Sequence, residues 1–243
     1  MVRSDPSAVV AIGPDAYRVW RSSRLGAITE RLEHAVIAEL LGNPKGKRAL
    51  DIGCGDGGLA SFLAERGASV VGIDPDPRML QLAAARAAAE RLPIRFVEGR
   101  AEALPFPDDS FDLVTAIAVL CFVRDGRTAL REMHRVLRPH GRLVLGELGR
   151  WSLWAARRRV RGWLGSPIWR PARFRSAREL RSLAQDAEFA VEDVRGSIFY
   201  PPSAIFACVM ARFDRWFGHL TTFGAAFVVI RAQKRASEAG AFG

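Results

Sequence analysis

The chain has 243 residues, 49% of them hydrophobic and 26% charged, so it is long enough to bury one large core. Its first residues lack the basic, apolar and small-residue pattern of a signal peptide, and no apolar run reaches the roughly 18 residues of a membrane span. The composition therefore favours a cytoplasmic protein without a transmembrane helix.

The formal net charge is +10, but 33 of the 36 basic residues are arginine, a bias that genome composition alone can produce. Residues 150–181 concentrate ten arginines and four tryptophans, for which there are three interpretations. In the first, the arginines at 157, 158, 159 and 161 form the solvated face of a helix. The side chains of that helix that pack inward are then Leu153, Val160, Trp163 and Leu164. The second is a weak peripheral contact of this segment with an anionic membrane. Nucleic-acid binding is the least favoured, because basic residues interleaved with aromatics are not sufficient evidence for it.

A predicted helix over residues 28–41, ended by Gly42-Asn43-Pro44, precedes the first predicted strand at 48–52. Helices and strands then alternate, which is typical of a parallel sheet with right-handed crossovers. The predicted elements are helix 58–66, strand 69–73, helix 77–91, strand 94–98, strand 111–117, helix 125–137 and strand 142–147. After the basic segment follow helix 176–187, strand 190–199, helix 202–218 and strand 224–232. Helix 202–218 is predicted to form an apolar substrate wall through Ile205, Phe206, Val209, Met210 and Phe213.

The most informative segment is Ala49–Gly57, where a buried strand ends in a glycine-rich turn before a helix. Glycines there permit positive φ and let a ligand approach bare backbone beside the N–H groups of the helix. Asp74 lies 21 residues after Gly53 and ends the next apolar run, where a carboxylate can accept hydrogen bonds from two ribose hydroxyls. The alternative is an ordinary turn acid before Pro75. The spacing favours a pocket for a nucleoside.

The charge around the glycines separates the candidate cofactors. Asp51 and Asp56 bracket the place where a dinucleotide would put its pyrophosphate, and two carboxylates there would repel it. They suit instead a ligand with an adenosine, an amino group and a sulfonium. The pattern therefore favours S-adenosylmethionine over NAD.

Further motifs follow in order: Asp74 to Leu80, Glu98 to Phe106, and Asp109 to Ala116. Over residues 45–148 the chain resembles the class I S-adenosylmethionine-dependent methyltransferases, particularly the bacterial small-molecule branch similar to those of quinone biosynthesis. The resemblance implies a doubly wound, Rossmann-like α/β fold, with a mostly parallel seven-stranded sheet, an antiparallel last strand and helices on both faces. It also implies a single domain, with covering helices in 1–44, a cofactor-binding core in 45–148, and substrate-side helices and final strands in 149–243.

The resemblance further implies which residues bind S-adenosylmethionine. Asp74 would bind the ribose, and Met79 would pack on the adenine. The full implied set is Tyr17, Trp20, Asp51, Gly53, Cys54, Gly55, Gly57, Asp74, Pro75, Met79, Ala101, Glu102 and Ala116. One departure is Arg100, where the family usually has an aspartate that accepts from the adenine amino group; an arginine cannot accept a hydrogen bond. Glu102, a backbone carbonyl, or stacking on Met79 would then hold the adenine.

Methyl transfer needs few catalytic side chains, because the methyl donor is already activated and positioning can carry most of the rate. Glu147 ends the fifth strand and is a candidate general base, although a structural acid paired with a nearby arginine is the favoured alternative. Tyr17 is a second candidate. Cys121-Phe122 stands where relatives often carry His or Glu, so no polar catalytic group is assumed there. The four histidines lack the spacing of metal ligands, so no metal is expected.

The sequence thus predicts direct transfer of a methyl group from S-adenosylmethionine to a small, apolar or amphipathic acceptor, with no nucleic-acid partner. Two alternatives remain. The first is a catalytically silent protein that binds S-adenosylmethionine as a regulator or scaffold, and the second is an NAD-dependent dehydrogenase. The sequence does not determine the acceptor, the atom methylated or the oligomeric state.

Overall fold

The computed structural model describes residues 19–235. Residues 19–22 are helical and lead into the first complete helix. The helices are α1 (Arg24–Leu41), α2 (Gly58–Glu65), α3 (Pro77–Glu90), α4 (Gly126–Val136), α5 (Leu153–Trp163), α6 (Ala177–Asp186) and α7 (Ala204–Leu220). The strands are β1 (Arg48–Ile52), β2 (Ser69–Asp74), β3 (Arg95–Glu98), β4 (Phe111–Ile117), β5 (Leu137–Leu148), β6 (Phe189–Ser197) and β7 (Phe227–Lys234).

These seven strands form one sheet in the order β3-β2-β1-β4-β5-β7-β6. β1 pairs in parallel with β2 and β4, and β4 pairs in parallel with β5. β7 runs antiparallel between β5 and β6. The predicted seven-stranded, mostly parallel α/β sheet with an antiparallel last strand is confirmed.

Element boundaries differ from the predictions where polar caps and strand pairing decide them. α1 begins four residues earlier than predicted, because the Ser23 hydroxyl accepts from the Gly26 N–H and caps the helix at that point. α6 begins after Ser176, which forms a capping box with Glu179. β5 begins at Leu137 and not at 142, since Leu137 pairs with Phe111 ahead of a register shift.

The core consists of two layers, one on each face of the sheet. Successive residues of β5 show the division, because Leu145 packs with Leu130 of α4 and Leu180 of α6, whereas Val144 packs with Ile37 of α1. Parallel strands that are covered on both faces have mostly apolar sequences, as β1 and β4 have. Because both faces of the sheet are covered, a ligand can reach the sheet only where the strands end, at the carboxyl ends of β1, β4 and β5.

Two predictions about the outer helices are wrong. In α5, the side chains expected to pack inward, Leu153, Val160, Trp163 and Leu164, are exposed, and the buried residues are Trp154, Ala155 and Gly162. In α7, Ile205, Phe206, Val209 and Phe213 face outward, so they do not form the expected substrate wall, and Met210 is partly buried against the core.

None of the helices within residues 19–235 is long and apolar enough to cross a membrane. The cytoplasmic location and the division of one domain into three parts stay predictions.

Candidate functional site

The glycine turn between β1 and α2 lies at the carboxyl end of the central strand. Gly53 and Gly55 have φ angles of +65° and +53°, which favour glycine. A Cβ on Gly53 would stand 2.6 Å from Val119 Cγ2, whereas a Cβ on Gly55 would meet nothing within 4 Å. The Gly53 and Cys54 N–H groups donate to the Ile73 carbonyl at 2.7 and 3.0 Å. The turn is therefore anchored to β2 and presents open backbone at Gly55.

Asp74 ends β2 beside this turn. One carboxylate oxygen accepts from the Gly55 N–H at 3.0 Å and the other from the Asp76 N–H at 2.9 Å. Burial raises the pKa of Asp74, and these two hydrogen bonds oppose the rise. Each oxygen keeps a second lone pair, so the carboxylate can hold the turn and still accept from ligand hydroxyls.

Asp51 lies in β1 under the turn and is 2% exposed. Its Oδ1 accepts from the Thr115 hydroxyl at 2.8 Å, and its Oδ2 has no hydrogen-bond partner in the described structure. Burial raises its pKa to about 7, against the lowering effect of the Thr115 bond. A buried carboxylate oxygen without a partner is costly, and a cationic ligand group would relieve that cost.

The negative charge of Asp56, in contrast, is neutralised by two arginines of the protein itself. Its carboxylate pairs with Arg21 at 2.7 Å and with Arg86 at 2.7 Å. The charge argument against a dinucleotide therefore rests on Asp51 and not on Asp56. The Arg21 contact also ties the segment before α1 to the glycine turn, so this segment lies at the site.

The remaining predicted cofactor residues divide by exposure. Met79, Cys54 and Ala101 are buried, and the Ala116 side chain is 0% exposed within the core of the sheet. Trp20 and Glu102 are half-buried, and Pro75 is exposed. Tyr17 lies outside the described residues. Gly57 caps α2 with a φ of +80°.

Arg100 is exposed and begins a tight turn that the Ala103 N–H closes onto the Arg100 carbonyl at 3.1 Å. This turn follows β3, next to Asp74 across the sheet. Adenine binding by Glu102 or by a backbone carbonyl of this turn stays a prediction.

The carboxyl end of β5 holds Glu147, which is 0% exposed. Its Oε1 accepts from the Leu120 N–H at 2.6 Å, while its Oε2 has no hydrogen-bond partner within the described residues. Burial raises the pKa of Glu147 to about 7, although Arg175 lowers it. Arg175 is itself buried and donates to the Leu120 carbonyl at 2.8 Å. This geometry supports a structural role, in which both side chains fix the loop after β4.

Sequence analysis missed two features of this loop and its surroundings. Ala118, directly after β4, has a φ of +54°, a strained conformation for alanine that often marks functional sites. No residue type or spacing signals it. Burial raises the pKa of Glu33 in α1 to about 7, and the positive charges of Arg158 and Arg21 oppose this rise. Only the fold brings α1 and α5 together here, so no local pattern reveals this pair.

Aromatic side chains surround Cys121, which follows the loop. Trp169 lies with its ring centroid 6.3 Å from Phe122 and 6.4 Å from Phe174. Phe174 packs with Cys121 and Leu148 in one buried cluster at the ends of β4 and β5. Burial raises the pKa of the Cys121 thiol, so it is a neutral, apolar group.

A groove of about 1070 Å³ borders this aromatic cluster, between α5, residues 164–176 and α6. Trp169 and Phe174 belong to both. Two of its arginines are paired, Arg150 with Glu179 and Arg127 with Asp186. Its other arginines, which form no salt bridge within the described structure, are Arg159, Arg170, Arg173 and Arg175. The groove is separate from the glycine turn and has an excess of positive charge.

Within residues 19–235, no group of histidine, cysteine and acidic side chains is arranged to hold a metal ion.

Comparison with known proteins agrees with this geometry. A family model described as a methyltransferase domain matches residues 50–145, which contain the glycine turn, Asp74 and β2 to β4. A demethylmenaquinone methyltransferase of Thermus thermophilus is 50% identical over 103 residues, which are 42% of this chain and 47% of that protein. The chain therefore spans about half the length of this relative. An uncharacterized protein of Mycobacterium tuberculosis is 33% identical over 234 residues, 94% of this chain and 75% of that protein.

Among solved structures, a protein of Thermotoga maritima is 27% identical, with a TM-score of 0.70 over 91% of this chain and 95% of that chain. It is described as a methyltransferase dependent on S-adenosylmethionine and as a possible histamine N-methyltransferase. The matched segment carries the cofactor pattern, and the fold match extends over nearly the whole chain. The chain belongs to the class I S-adenosylmethionine-dependent methyltransferases, and S-adenosylmethionine is its cofactor.

Proposed function

We propose that this methyltransferase transfers its methyl group by direct displacement to a small, apolar or amphipathic acceptor bound at the carboxyl ends of β4 and β5. The single observation that carries this proposal is the buried cluster of Cys121, Leu148 and Phe174, flanked by Phe122 and Trp169. Pockets lined mainly by apolar and aromatic side chains favour ligands of the same character.

The residues at the glycine turn fit the cofactor. The Oδ2 of Asp51, which has no hydrogen-bond partner within residues 19–235, suits the cationic amino group of the cofactor. The open backbone at Gly55 leaves room for the ligand, and Asp74 offers lone pairs to the ribose hydroxyls. Further cofactor contacts at this site are proposed for Tyr17, Trp20, Gly53, Cys54, Gly57, Pro75, Met79, Ala101, Glu102 and Ala116.

When bound, the cofactor supplies an activated methyl group on a sulfonium. The protein then has to orient the acceptor and exclude water, which the aromatic cluster can do. Glu147 is buried and bonded to the loop backbone, so in this conformation it does not reach an acceptor. Tyr17 stays a candidate for a base, needed where the acceptor atom arrives protonated.

The arginine-lined groove supports an amphipathic acceptor. Trp169 and Phe174 form a border shared by the groove and the aromatic cluster, so a ligand with its apolar part against Cys121 could extend an acidic group toward Arg159 or Arg173. Arginine is well suited to bind carboxylates and phosphates in a bidentate manner.

A weak peripheral membrane contact through residues 150–181 also stays a proposal. Part of the segment is committed to internal structure, since the Trp154 Nε1 donates to the Tyr200 carbonyl at 2.8 Å and Arg158 lies over the Trp154 and Trp169 rings. Trp151 and Trp163 are exposed and support the contact.

The test measures methyl transfer from labelled S-adenosylmethionine to two acceptors in parallel: a short-chain demethylmenaquinone in its reduced form, and histamine. These are the acceptors after which the Thermus relative and the Thermotoga protein are named. We expect turnover with the amphipathic quinol and little with histamine. Preference for histamine would contradict the proposed acceptor class.

Calorimetry with S-adenosylmethionine accompanies the assay. Binding without turnover on any acceptor from a lipid and metabolite panel would favour the silent, regulatory alternative. A shift of the melting temperature with NAD, but not with S-adenosylmethionine, would contradict the cofactor assignment itself.

A further inference from the structure

The outward face of α7 is apolar along the whole length of the helix. Six large apolar side chains on it are between 47% and 77% exposed, and Phe223 in the following turn is 74% exposed. The six are Ile205, Phe206, Val209, Phe213, Trp216 and Leu220. A contiguous apolar surface of this kind on a water-soluble fold marks an interaction site.

The inward face of the same helix carries small residues. Ala207 and Gly218 are buried, and a Cβ on Gly218 would stand 2.2 Å from the Gly196 carbonyl oxygen of β6. The helix backbone therefore packs directly on the sheet. A surface helix of a globular protein normally turns its large apolar residues to the core. In α7 most large apolar residues face outward and only Met210 and Phe217 are partly buried, so the six exposed side chains are not needed to hold the helix in place.

Polar contacts anchor α7 instead. Asp214 is buried and accepts from the Ser197 hydroxyl at 2.5 Å, the Ile198 N–H at 2.8 Å and the Phe199 N–H at 3.1 Å. Asp214 is also the single acidic residue of α7. The outward face of the helix thus carries no negative charge.

The charges around this face are positive. Arg212 and Arg215 are exposed on α7, and Arg24 and Arg31 are exposed on the neighbouring α1, where they line a shallow groove with Cys208. Glu39 of α1 is paired with both Arg215 and His219. A basic rim around an apolar helix face is the pattern of helices that lie in the interface of an anionic membrane.

We propose that the outward face of α7 docks the protein on an anionic lipid bilayer, with the six apolar side chains at the acyl boundary and the four arginines at the headgroups. A second copy of the chain fits this face less well, because a symmetric pair would bring two basic rims together. The helix lies in the plane of the membrane and does not span it.

The experiment uses the full chain labelled on Cys208 with an environment-sensitive fluorophore. Cys208 is exposed, whereas Cys54 and Cys121 are buried, so labelling under native conditions is selective. The protein is mixed at low salt with phosphatidylcholine vesicles, with and without phosphatidylglycerol. We expect a blue shift of the fluorophore and sedimentation with the anionic vesicles, weakened by salt.

The test variant is Phe213→Ser with Trp216→Ser, which we expect to weaken vesicle binding at least about tenfold. Arg24→Gln with Arg31→Gln should lower the preference for anionic vesicles about fivefold for each arginine removed. The matched control, Trp163→Ser with Leu164→Ser at the end of α5, removes comparable exposed apolar area from the other proposed membrane surface, residues 150–181, and so shows which of the two surfaces carries the binding.

Three results would overturn the proposal: no binding to anionic vesicles, binding that the α7 variant retains while the α5 control loses it, or a dimer in solution that the α7 variant dissociates. The thermal shift with S-adenosylmethionine is measured on every variant. A retained shift shows that the fold and the cofactor site are intact, so a failure of membrane docking is distinct from a failure of the proposed acceptor chemistry.

Discussion

The cofactor edge and the outer helices use their apolar residues in opposite ways. At the ends of β1, β2 and β4, apolar side chains are buried and polar atoms point at the ligand site, as Asp51 and Asp74 do. On α5 and α7, the buried residues are small apart from Trp154 and Asp214, and Trp163, Phe213 and Trp216 are exposed. The carboxyl edge of the sheet is arranged to bind a ligand, whereas α5 and α7 expose apolar side chains on the surface of the protein. Substitutions in the two halves should therefore have separable effects.

Asp214→Ala should have the largest effect on stability. It leaves the buried N–H groups of Ile198 and Phe199 without an acceptor, so we expect a loss of about 3 kcal/mol in the free energy of unfolding. Urea denaturation measures it. The affinity for S-adenosylmethionine should stay within about twofold, because Asp214 is remote from the glycine turn; a parallel loss of affinity would show that the halves are coupled.

Asp74→Ala should weaken S-adenosylmethionine binding about 100-fold. It removes the acceptor for Gly55 and Asp76 together with the proposed ribose contacts, and hydrogen bonds to a charged group contribute about 1.5–3 kcal/mol each. Calorimetry gives the dissociation constant. Asp186→Ala, at a surface acid paired with Arg127, is the control and should bind normally. Unchanged affinity in Asp74→Ala would mean that Asp74 acts as a turn acid alone.

Sequence reasoning succeeded where local periodicity and turn chemistry decide the structure. Parallel strands with buried faces and the glycine turn follow from such patterns, whereas the antiparallel last strand is expected only from the resemblance to the methyltransferase family. It failed where the partner of a helix decides which face is buried. The apolar residues of α7 suggested an inward wall, but Gly218 and Ala207 allow a closer backbone approach to β6. Likewise, the Thr115 bond to Asp51 joins residues 64 apart in the chain, which no local pattern shows.

Glu147→Gln tests whether the acid in β5 is structural. Its pKa of about 7 is above the usual value near 4, so its contribution to stability is present below about pH 4 and is lost as the pH rises toward 7. The glutamine keeps an oxygen that accepts from the Leu120 N–H. Because glutamine does not ionise, the variant does not lose this stability as the pH rises. Its stability relative to the natural protein should therefore rise by about 2 kcal/mol between pH 5 and pH 8.

Urea denaturation across this pH range checks the change. Turnover of Glu147→Gln should stay within about threefold of the natural protein if positioning carries the reaction. A loss of turnover at unchanged stability would instead restore Glu147 as a base.

Asp51→Asn should alter the pH dependence of cofactor binding. Ionisation of Asp51, with a pKa of about 7, favours the cationic amino group, so S-adenosylmethionine affinity should rise about tenfold from pH 5.5 to pH 7. The ligand amino group stays protonated over this range. The asparagine variant should show a flat profile by calorimetry. A rise that persists in the variant would assign the titration to another group.

Tyr200→Phe should have the smallest effect, because it removes a hydrogen bond without orphaning its partner. The Thr29 hydroxyl donates to the Leu25 carbonyl at 2.8 Å, so the Tyr200 hydroxyl is the donor in the 3.0 Å contact with Thr29 Oγ1. Phenylalanine keeps the buried ring, and Thr29 keeps its bond to Leu25. We therefore expect a loss of about 1 kcal/mol in urea denaturation and no change in cofactor affinity. A loss of several kcal/mol would mean that this one contact holds the segment between β6 and α7 against α1.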